Sequence, residues 1–277
     1  MPVEVRATEH QWAPAHGQRL FYRCWNPPTP TQTLVIIHGF GEHGGRYEPL
    51  ADWFAHQGIR VIIPDLWGHG RSDGPRGHLP DIPHHAALLV RFADDVAGGS
   101  SHGPYALFGH SFGGLVAMHM ALHHPPRLRR LIVQSPLLAV AVQPPQWKHQ
   151  LAYVLSSVWP TIPFTMNLDV NALSHDPAVV QAYRTDPLVH NRITARTYTA
   201  LWEARDLAMR QAATIRQPIL LLYGEEDRIV DVAWAQRWFD LLTCPKRVVA
   251  FPGCYHELHH ETVPQVFELI KTWVSSS

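Results

Sequence analysis

The sequence predicts an α/β fold with a mostly parallel central sheet flanked by helices. Short apolar runs alternate with longer helical patterns along the chain, most of these runs are apolar throughout, and one long interval breaks the alternation. Continuous apolar runs are typical of parallel strands that are covered on both faces. Alternation of strands and helices indicates βαβ units with right-handed crossovers.

Six apolar runs that end in turn residues are the predicted parallel strands. They are TLVIIHG (33–39), RVIIPD (60–65), YALFGH (105–110), RLIVQSP (130–136), ILLLYG (219–224) and KRVVAFPG (246–253). The run LFYRCW (20–25) alternates more in polarity and predicts an antiparallel strand at the edge of the sheet. Helical patterns occupy the intervals at 47–56, 84–96, 115–123, 234–242 and 263–274.

The interval after the fourth parallel run interrupts this order. It contains no convincing buried strand, and it has two helical patterns, one over 147–158 that Pro160 ends and one over 196–210. We interpret residues 136–210 as an inserted helical cap, the cap segment, lying over the sheet edge at which α/β proteins bind ligands. Residues 1–135 and 211–277 then form the core.

Composition excludes several classes of protein. The 277 residues include 23 basic and 23 acidic side chains, which argues against a nucleic acid or an anionic membrane held by charge. Three widely spaced cysteines without a CxxC pattern indicate reduced thiols. The first ten residues lack the apolar core of a secretory signal, and no apolar run reaches the roughly 18 residues of a membrane span. We therefore expect a cytoplasmic globular protein.

The pattern Gly-x-Ser-x-Gly occurs twice, at residues 70–74 and 109–113. In a nucleophile elbow this pattern follows a strand and begins a helix, which lifts the serine hydroxyl above the sheet. Ser111 meets both conditions, because an apolar run precedes it and LVAMHMALHH follows it. Ser72 lies among glycines and a proline that would break a helix, so we assign it to a loop. Ser111 is therefore the predicted nucleophile.

A serine nucleophile needs a histidine as general base and a carboxylate that orients it. In this topology the expected chain order is serine, acid, histidine. Asp227 comes just after the run ILLLYG, which favours it over Asp231, four residues later. His256 follows the last predicted strand and so lies at the same sheet edge. We interpret His259 and His260 as a surface cluster that leads into the final helix.

Residues 256–260 also read H-E-L-H-H, a literal match to the metal-binding pattern HExxH. A zinc site of this kind needs both histidines on one helix and a third ligand downstream. A Pro-Gly loop precedes His256, and the tail offers only Glu261 and Glu268 as further ligands. The sequence therefore predicts neither a metal nor another cofactor.

An oxyanion hole needs two backbone N–H donors, one directly after the nucleophile and one in the loop after an earlier strand. Phe112 supplies the first donor, and the loop that begins at His38 supplies the second, which we assign to Phe40. Glu42 and Arg46 stand four residues apart in the same loop. Either they pair and brace the loop, or they make polar contacts with the leaving group of the substrate.

Five segments together resemble a known family. They are HGFGEHGGRYEPLA (38–51), DLWGHGRSDGPRGH (65–78), GHSFGG (109–114), YGEEDRIVD (223–231) and YHELHHE (255–261). The chain resembles serine hydrolases of the α/β-hydrolase fold, more narrowly the monoacylglycerol lipase and lysophospholipase group, over nearly its whole length. The resemblance implies Ser111, Asp227 and His256 as the catalytic triad. It also implies the amides of Phe40 and Phe112 as oxyanion donors.

The first part of the cap segment is apolar. Residues 136–168 contain no carboxylate and one formal charge, Lys148. Part of this surface packs on the core, and the rest suits an acyl chain, since burial contributes about 25 cal/mol per Å² of apolar surface. It also suits transient contact with membranes or lipid aggregates, and hence peripheral association. The predicted substrate-binding residues here are Leu138, Leu151, Leu155 and Trp159.

These observations predict a cofactor-free serine ester hydrolase that cleaves monoacylglycerols, or similar single-chain esters, through an acyl-enzyme intermediate. A lysophospholipase or a broad carboxylesterase is an alternative. A proline-type aminopeptidase would need carboxylates for the α-amino group, and the later cap segment offers Asp169, Asp176, Asp186 and Glu203. A non-catalytic binding protein on the same fold is disfavoured because the candidate triad is intact. The sequence leaves the oligomeric state open.

Overall fold

A central sheet of eight strands dominates the computed structural model, which describes residues 5–14, 17–98, 103–261 and 263–276. The described residues contain these eight strands and two short additional ones. In chain order they are β1 (Ala7–Trp12), β2 (Leu20–Trp25), β3 (Gln32–Ile37), β4 (Ile59–Pro64), β5 (Tyr105–His110), β6 (Leu128–Gln134), β7 (Pro163–Thr165), β8 (Arg192–Thr194), β9 (Ile219–Gly224) and β10 (Lys246–Phe251). The order across the sheet is β1-β2-β4-β3-β5-β6-β9-β10, and the short β7 and β8 pair separately. Only the β1–β2 and β2–β4 pairs of the described sheet are antiparallel. The predicted mostly parallel α/β fold is confirmed.

Helices cover both faces of the sheet. They are α1 (Glu48–His56), α2 (Ile82–Val96), α3 (Phe112–Leu122), α4 (Gln146–Val158), α5 (Pro177–Thr185), α6 (Ala195–Gln211), α7 (Val232–Leu241), α8 (Leu258–Glu261) and α9 (Val263–Ser275). Side chains alternate between the faces of a strand, and in β3 Val35 and Ile37 join a core cluster with α2, α3, α6 and α7. Leu34 and Ile36 join the opposite cluster, with α1 and α9. Across the described residues, no helix combines the length and apolar character needed to cross a bilayer.

Two local predictions need correction. The run at 20–25 forms an antiparallel strand as expected, but β1 pairs beyond it, so β2 is not the edge of the sheet. β1 reads ATEHQW, and its four central residues are exposed, so it lacks the apolar pattern that reveals a buried strand. The cap segment contains the two predicted helices as α4 and α6, and also α5 and the β7–β8 pair, which were not predicted.

The register of the parallel strands places several strand ends together. Ile37 at the end of β3 pairs with Gly109 of β5, and Gly224 at the end of β9 pairs with Phe251 of β10. Because the carboxyl ends of parallel strands lie at one edge of a sheet, the loops after β3, β5, β9 and β10 meet there.

Candidate active site

Ser111 occupies a strained turn between β5 and α3. Its backbone has φ 53° and ψ −119°, a region that side-chain-bearing residues rarely adopt. A Cβ at Gly109 would lie 2.3 Å from the Gly113 carbonyl oxygen, and a Cβ at Gly113 would lie 2.2 Å from the Ile37 carbonyl oxygen. Only glycine fits at these two positions, so the Gly-x-Ser-x-Gly pattern is needed to bring α3 this close to the sheet.

The acid and the base expected from the sequence are next to each other. Asp227 follows β9 and His256 follows β10, and the distance from His256 Nδ1 to Asp227 Oδ2 is 2.7 Å. Asp227 Oδ1 accepts the backbone N–H groups of Ile229 at 2.9 Å and Val230 at 3.0 Å. The side chains of His256 and Asp227 are 2% and 0% exposed. Because Nδ1 donates to the carboxylate, Nε2 is left to accept a proton.

Charges near this pair outweigh its burial. Burial lowers the pKa of His256, but the Asp227 carboxylate, followed by those of Glu257 and Glu42, raises it, and the net pKa is above the ordinary value. Burial raises the pKa of Asp227, but His256 and the two backbone donors lower it, and the net pKa is below the ordinary value. The site therefore stabilises the charged forms of both groups, including the imidazolium that forms when His256 accepts a proton.

Two backbone N–H groups, those of Phe40 and Phe112, are candidate donors beside Ser111. Among the described residues, the N–H groups of Phe40 and Phe112 donate to no other backbone group. That of Phe112 is free because it belongs to the first turn of α3. The rings of the two phenylalanines meet edge to face with centroids 5.3 Å apart, and a Cβ at Gly39 would lie 3.5 Å from Ser111 Cβ. This arrangement suits the predicted oxyanion donors.

His110 connects the elbow to the proposed base. The ring centroids of His110 and His256 are 4.7 Å apart. Gln134, at the end of β6, donates from Nε2 to His110 Nδ1 at 2.9 Å. Within the part of the chain that the structure describes, the Ser111 hydroxyl itself forms no hydrogen bond. In ligand-free enzymes the bond between nucleophile and base is often long, and it tightens when substrate binds.

The interpretation of His259 and His260 as a surface cluster is wrong. His259 is 2% exposed, and its ring stacks on Tyr47 with centroids 4.8 Å apart. Its Nδ1 accepts a second hydrogen from Gln134 Nε2 at 2.8 Å. The His260 side chain is 14% exposed. Both imidazoles belong to α8, which begins at Leu258, directly after the His256–Glu257 pair.

A buried ion-pair network joins the loop after β3 to the loop after β10, which contains His256 and Glu257. Arg46 pairs with Glu42, and its Nη1 and Nη2 donate to the two Glu257 oxygens at 2.7 and 2.8 Å. Glu42 Oε1 also accepts the N–H of Gly39 at 2.5 Å and the hydroxyl of Tyr47 at 2.7 Å. The network matches the interpretation that Glu42 and Arg46 brace the loop. It corrects the prediction that they bind substrate, since their polar atoms are used within the protein.

The two rivals of the predicted triad have structural hydrogen bonds. Asp231 caps α7, where its Oδ1 accepts the N–H of Ala233 at 3.0 Å. Ser72 lies in the loop after β4, and its hydroxyl accepts the Phe21 N–H at 2.8 Å and donates to the Asp65 carbonyl at 2.5 Å. The loop assignment of Ser72 therefore agrees with the structure.

The predicted substrate contacts in the cap segment fall into two groups. Leu138 is 0% exposed and belongs to the core cluster, so the prediction that it contacts substrate does not fit this structure. Leu151 and Trp159 are 46% and 59% exposed, and Leu155 is partly buried. These three residues stay predicted substrate contacts.

Glu257, His259 and His260 offer ligand atoms within 4.8 Å of one another. Their chemistry fits a metal ion poorly, because the guanidinium of Arg46 occupies both oxygens of Glu257 and would repel a cation. The HExxH interpretation fits no better, because His256 precedes α8 and binds Asp227 through Nδ1. Glu257 therefore pairs with Arg46, a role that the HExxH pattern did not indicate.

Residues 28–263 match the family model described as serine aminopeptidase, S33. The chain belongs to this family. It is 31% identical over 278 residues to a monoacylglycerol lipase of Mycolicibacterium smegmatis, with 99% of each chain covered. The crystal structure of a Paleococcus ferrophilus monoacylglycerol lipase is similar with a TM-score of 0.84 and 30% identity, covering 92% of this chain and 98% of that one.

A relative from Dictyostelium discoideum, an uncharacterized abhydrolase domain-containing protein, is 32% identical over 265 residues, and the chain spans 28% of its length. The predicted relationship to α/β-hydrolase serine hydrolases of the monoacylglycerol lipase group is therefore confirmed. The family resemblance extends over both the sheet and the cap segment, since the matched region includes residues 136–210.

Proposed function

We propose that this chain is a serine ester hydrolase that cleaves monoacylglycerols to glycerol and a free fatty acid. The observation that carries the proposal is the buried Asp227–His256 pair at the sheet edge where Ser111 occupies a strained turn. The two similar monoacylglycerol lipases support the substrate class, since each covers more than nine-tenths of this chain.

The residues have separate roles in the proposed reaction. His256 takes the proton of Ser111 as the hydroxyl oxygen attacks the ester carbonyl. The N–H groups of Phe40 and Phe112 donate to the oxyanion that forms, and Asp227 stabilises the imidazolium. His256 then protonates the departing glycerol oxygen, which leaves the acyl group on Ser111. Finally His256 deprotonates a water molecule, whose attack on the acyl-enzyme releases the fatty acid.

The cap-segment carboxylates that an aminopeptidase could use already have partners within the protein. Each of the five carboxylates there caps a helical turn or forms an ion pair; they are Asp169, Asp176, Asp186, Glu203 and Asp206. A free α-amino group of a peptide substrate would have to share a carboxylate that already accepts a hydrogen bond or forms an ion pair within the protein. An ester substrate needs no such anion, which favours ester hydrolysis.

The cap segment supports a further part of the proposal, contact with lipid surfaces. Large apolar side chains are exposed on α4 and beside it; they are Val142, Trp147, Leu151, Tyr153, Val154, Val158 and Trp159. Among the described residues, the other large apolar side chains with comparable exposure are Leu241 and Val248. Such a concentrated patch is typical of a site that contacts a membrane or another protein. We propose a cytoplasmic enzyme that associates peripherally with lipid.

Ser111→Ala tests the chemistry. Hydrolysis of p-nitrophenyl esters and of monoacylglycerols should fall by at least about 10⁴-fold, because no other group replaces the nucleophile. Ser72→Ala, at the other Gly-x-Ser-x-Gly match, should keep most of the activity. Retention of activity in Ser111→Ala would refute the nucleophile.

A substrate panel tests the specificity. Purified protein is assayed with monoacylglycerols, lysophospholipids and aminoacyl amides, and the substrates are ranked by kcat/KM. Monoacylglycerols should rank first. A higher kcat/KM for aminoacyl amides would instead identify a peptidase, and a higher value for lysophospholipids would move the substrate class to phospholipids.

A further inference from the structure

The network beside the proposed base holds an unbalanced negative charge. Glu42 and Glu257 share the single guanidinium of Arg46, and the side chains of Glu42, Arg46 and Glu257 are 4%, 7% and 2% exposed. Burial raises the pKa of both carboxyl groups, but Arg46 and their other partners lower it further, so both pKa values are below the ordinary one. At neutral pH the network therefore contains two anions and one cation.

A brace for the loop would need only one of these carboxylates. One carboxylate on one guanidinium leaves no net charge, whereas a second buried carboxylate adds the cost of removing another anion from water. The neighbouring imidazoles do not balance it, because burial lowers the pKa of His110 to about 3 and also lowers that of His259 and His260. Among His110, His256, His259 and His260, His256 is the one whose pKa is above the ordinary value.

Glu257 is held firmly in this position. It follows His256 directly in the chain, and its N–H donates to the Leu173 carbonyl of the cap segment at 2.9 Å. Arg46 holds both carboxylate oxygens, and its guanidinium lies 4.7 Å from the centre of the Tyr183 ring on α5. A charge fixed in this way needs no reorganisation when His256 becomes positive.

We propose that Glu257 is a positioning residue for His256: its carboxylate, held by Arg46, stabilises the imidazolium that forms when the base accepts a proton. The inference rests on the proposed role of His256 as general base. The titratable groups that act on this ring are Asp227 after β9, Glu42 after β3, His110 of β5, and Glu257 and His259 around α8. Among the carboxylates, Glu257 contributes next after Asp227 to the raised pKa of His256.

Glu257→Gln tests the inference, because it keeps the shape of the side chain and removes its charge. The pKa of His256 should fall, so the base stays neutral to lower pH. The acidic limb of kcat/KM for a soluble ester should therefore move down by about 0.5 to 1.5 pH units. Since one unit corresponds to a tenfold change, kcat should fall by about 3- to 30-fold with little change in KM.

Two matched variants separate charge from structure. Glu261→Gln removes a carboxylate of α8 that is 4% exposed and accepts from Ser174 and His175. Glu261 is not among the carboxylates that raise the pKa of His256. This variant should lower the melting temperature and leave the acidic limb in place. Glu257→Asp keeps the charge and should leave the limb near its wild-type position. Glu42→Gln removes the other carboxylate of the network and should shift the limb in the same direction by a smaller amount.

NMR titration of His256 in the Ser111→Ala background measures the pKa of the imidazole directly, without an activity assay. Adding Glu257→Gln should lower the measured pKa of His256 by the amount seen in the pH profile. An unshifted titration, together with an unshifted acidic limb, would overturn the inference and leave Glu257 as a brace. Failure of the wild-type protein to hydrolyse any ester would refute the proposed function instead, whatever the titration shows.

Discussion

At the scale of single residues, the two oxygens of Asp227 have different roles. Oδ1 accepts two backbone N–H groups, from Ile229 and Val230, and Oδ2 accepts His256 Nδ1. The backbone donors fix the carboxylate, and the fixed carboxylate sets the orientation and tautomer of the ring. The proposed base therefore depends on Asp227 for both geometry and charge.

Asp227→Asn should lower kcat/KM by about 10⁴-fold, because the amide keeps the shape but favours the wrong tautomer of His256. It also removes the largest contribution that raises the pKa of His256, so the residual activity should persist to lower pH. The measurement is a pH profile of kcat/KM with a soluble ester. Asp231→Asn is the control, because asparagine caps a helix as well as aspartate and should leave the rate unchanged. A rate within tenfold of wild type in Asp227→Asn would contradict the assignment.

Local context is sufficient to find the proposed triad in the sequence, since Ser111, Asp227 and His256 each follow a recognisable strand within a few residues. Glu257 is different, because its partner Arg46 lies 211 positions away and no spacing signals a pair that distant. The burial of His259 could not be predicted for the same reason. It depends on the stacking of Tyr47 and on Gln134, both remote in the chain.

At the scale of elements, α3 determines how the elbow is placed. Residues 112–121 of this helix are all buried, so it packs on the sheet and on neighbouring helices at once. Its first turn approaches β3 so closely that a Cβ at Gly113 would lie 2.2 Å from the Ile37 carbonyl oxygen and 2.4 Å from the His38 carbonyl oxygen. The position of Ser111 therefore depends on a backbone contact between α3 and the end of β3.

Gly113→Ala should destabilise the protein by at least about 2 kcal/mol, because two backbone atoms would have to move. Helix propensity alone would favour alanine by up to about 1 kcal/mol, so packing decides the sign. Activity should fall as well, since the shift displaces the N–H of Phe112. Thermal melts and ester assays check both effects. Gly103→Ala is the control, because nothing lies within 4 Å of a Cβ there, and equal melting temperatures for the two variants would contradict the argument.

Most elements could be predicted because burial produces a pattern in the sequence. The six apolar runs correspond to parallel strands whose ends differ from the prediction by no more than two residues. β1 escaped prediction because its middle residues face solvent, and α5 because Val180 is its one buried residue among those described. The Asp176-Pro177 pair was an available signal for α5, since aspartate caps this helix and proline occupies its first turn.

At the scale of the whole molecule, the later part of the cap segment is tied to the core by polar contacts. His43 Nε2 lies 2.8 Å from Asp186 Oδ2, and Ser174 donates to Glu261 Oε1 at 2.6 Å. The N–H of His190 donates to the carbonyl of Gly41 at 2.7 Å. These contacts place α5 and the segments that flank it beside the loops after β3 and β10. The sequence predicted the insertion and its apolar character. It did not predict these polar contacts, because the residues that form them are far apart in the chain.

α4 packs on α6 and exposes its apolar patch to solvent. Val154 and Val158 are 59% and 73% exposed, and neither belongs to the predicted substrate contacts. The double variant Val154→Ser/Val158→Ser should weaken binding to neutral phosphatidylcholine vesicles by about tenfold, because apolar burial contributes about 25 cal/mol per Å². Activity on dispersed long-chain monoacylglycerols should fall with it, while activity on a soluble short-chain ester should not change. Vesicle sedimentation and the two assays measure these effects.

A control variant and a salt titration show whether vesicle binding comes from the apolar patch of α4. Leu241→Ser/Val248→Ser removes apolar side chains that are 47% and 41% exposed but lie outside the cap segment, and it should leave vesicle binding intact. Because Lys148 is the one formal charge in residues 136–168, binding should depend little on ionic strength. Equal loss of binding in both double variants would show that general surface hydrophobicity, rather than α4, holds the protein on lipid. Strong weakening by salt would point to charge as the source of attraction, against an apolar contact.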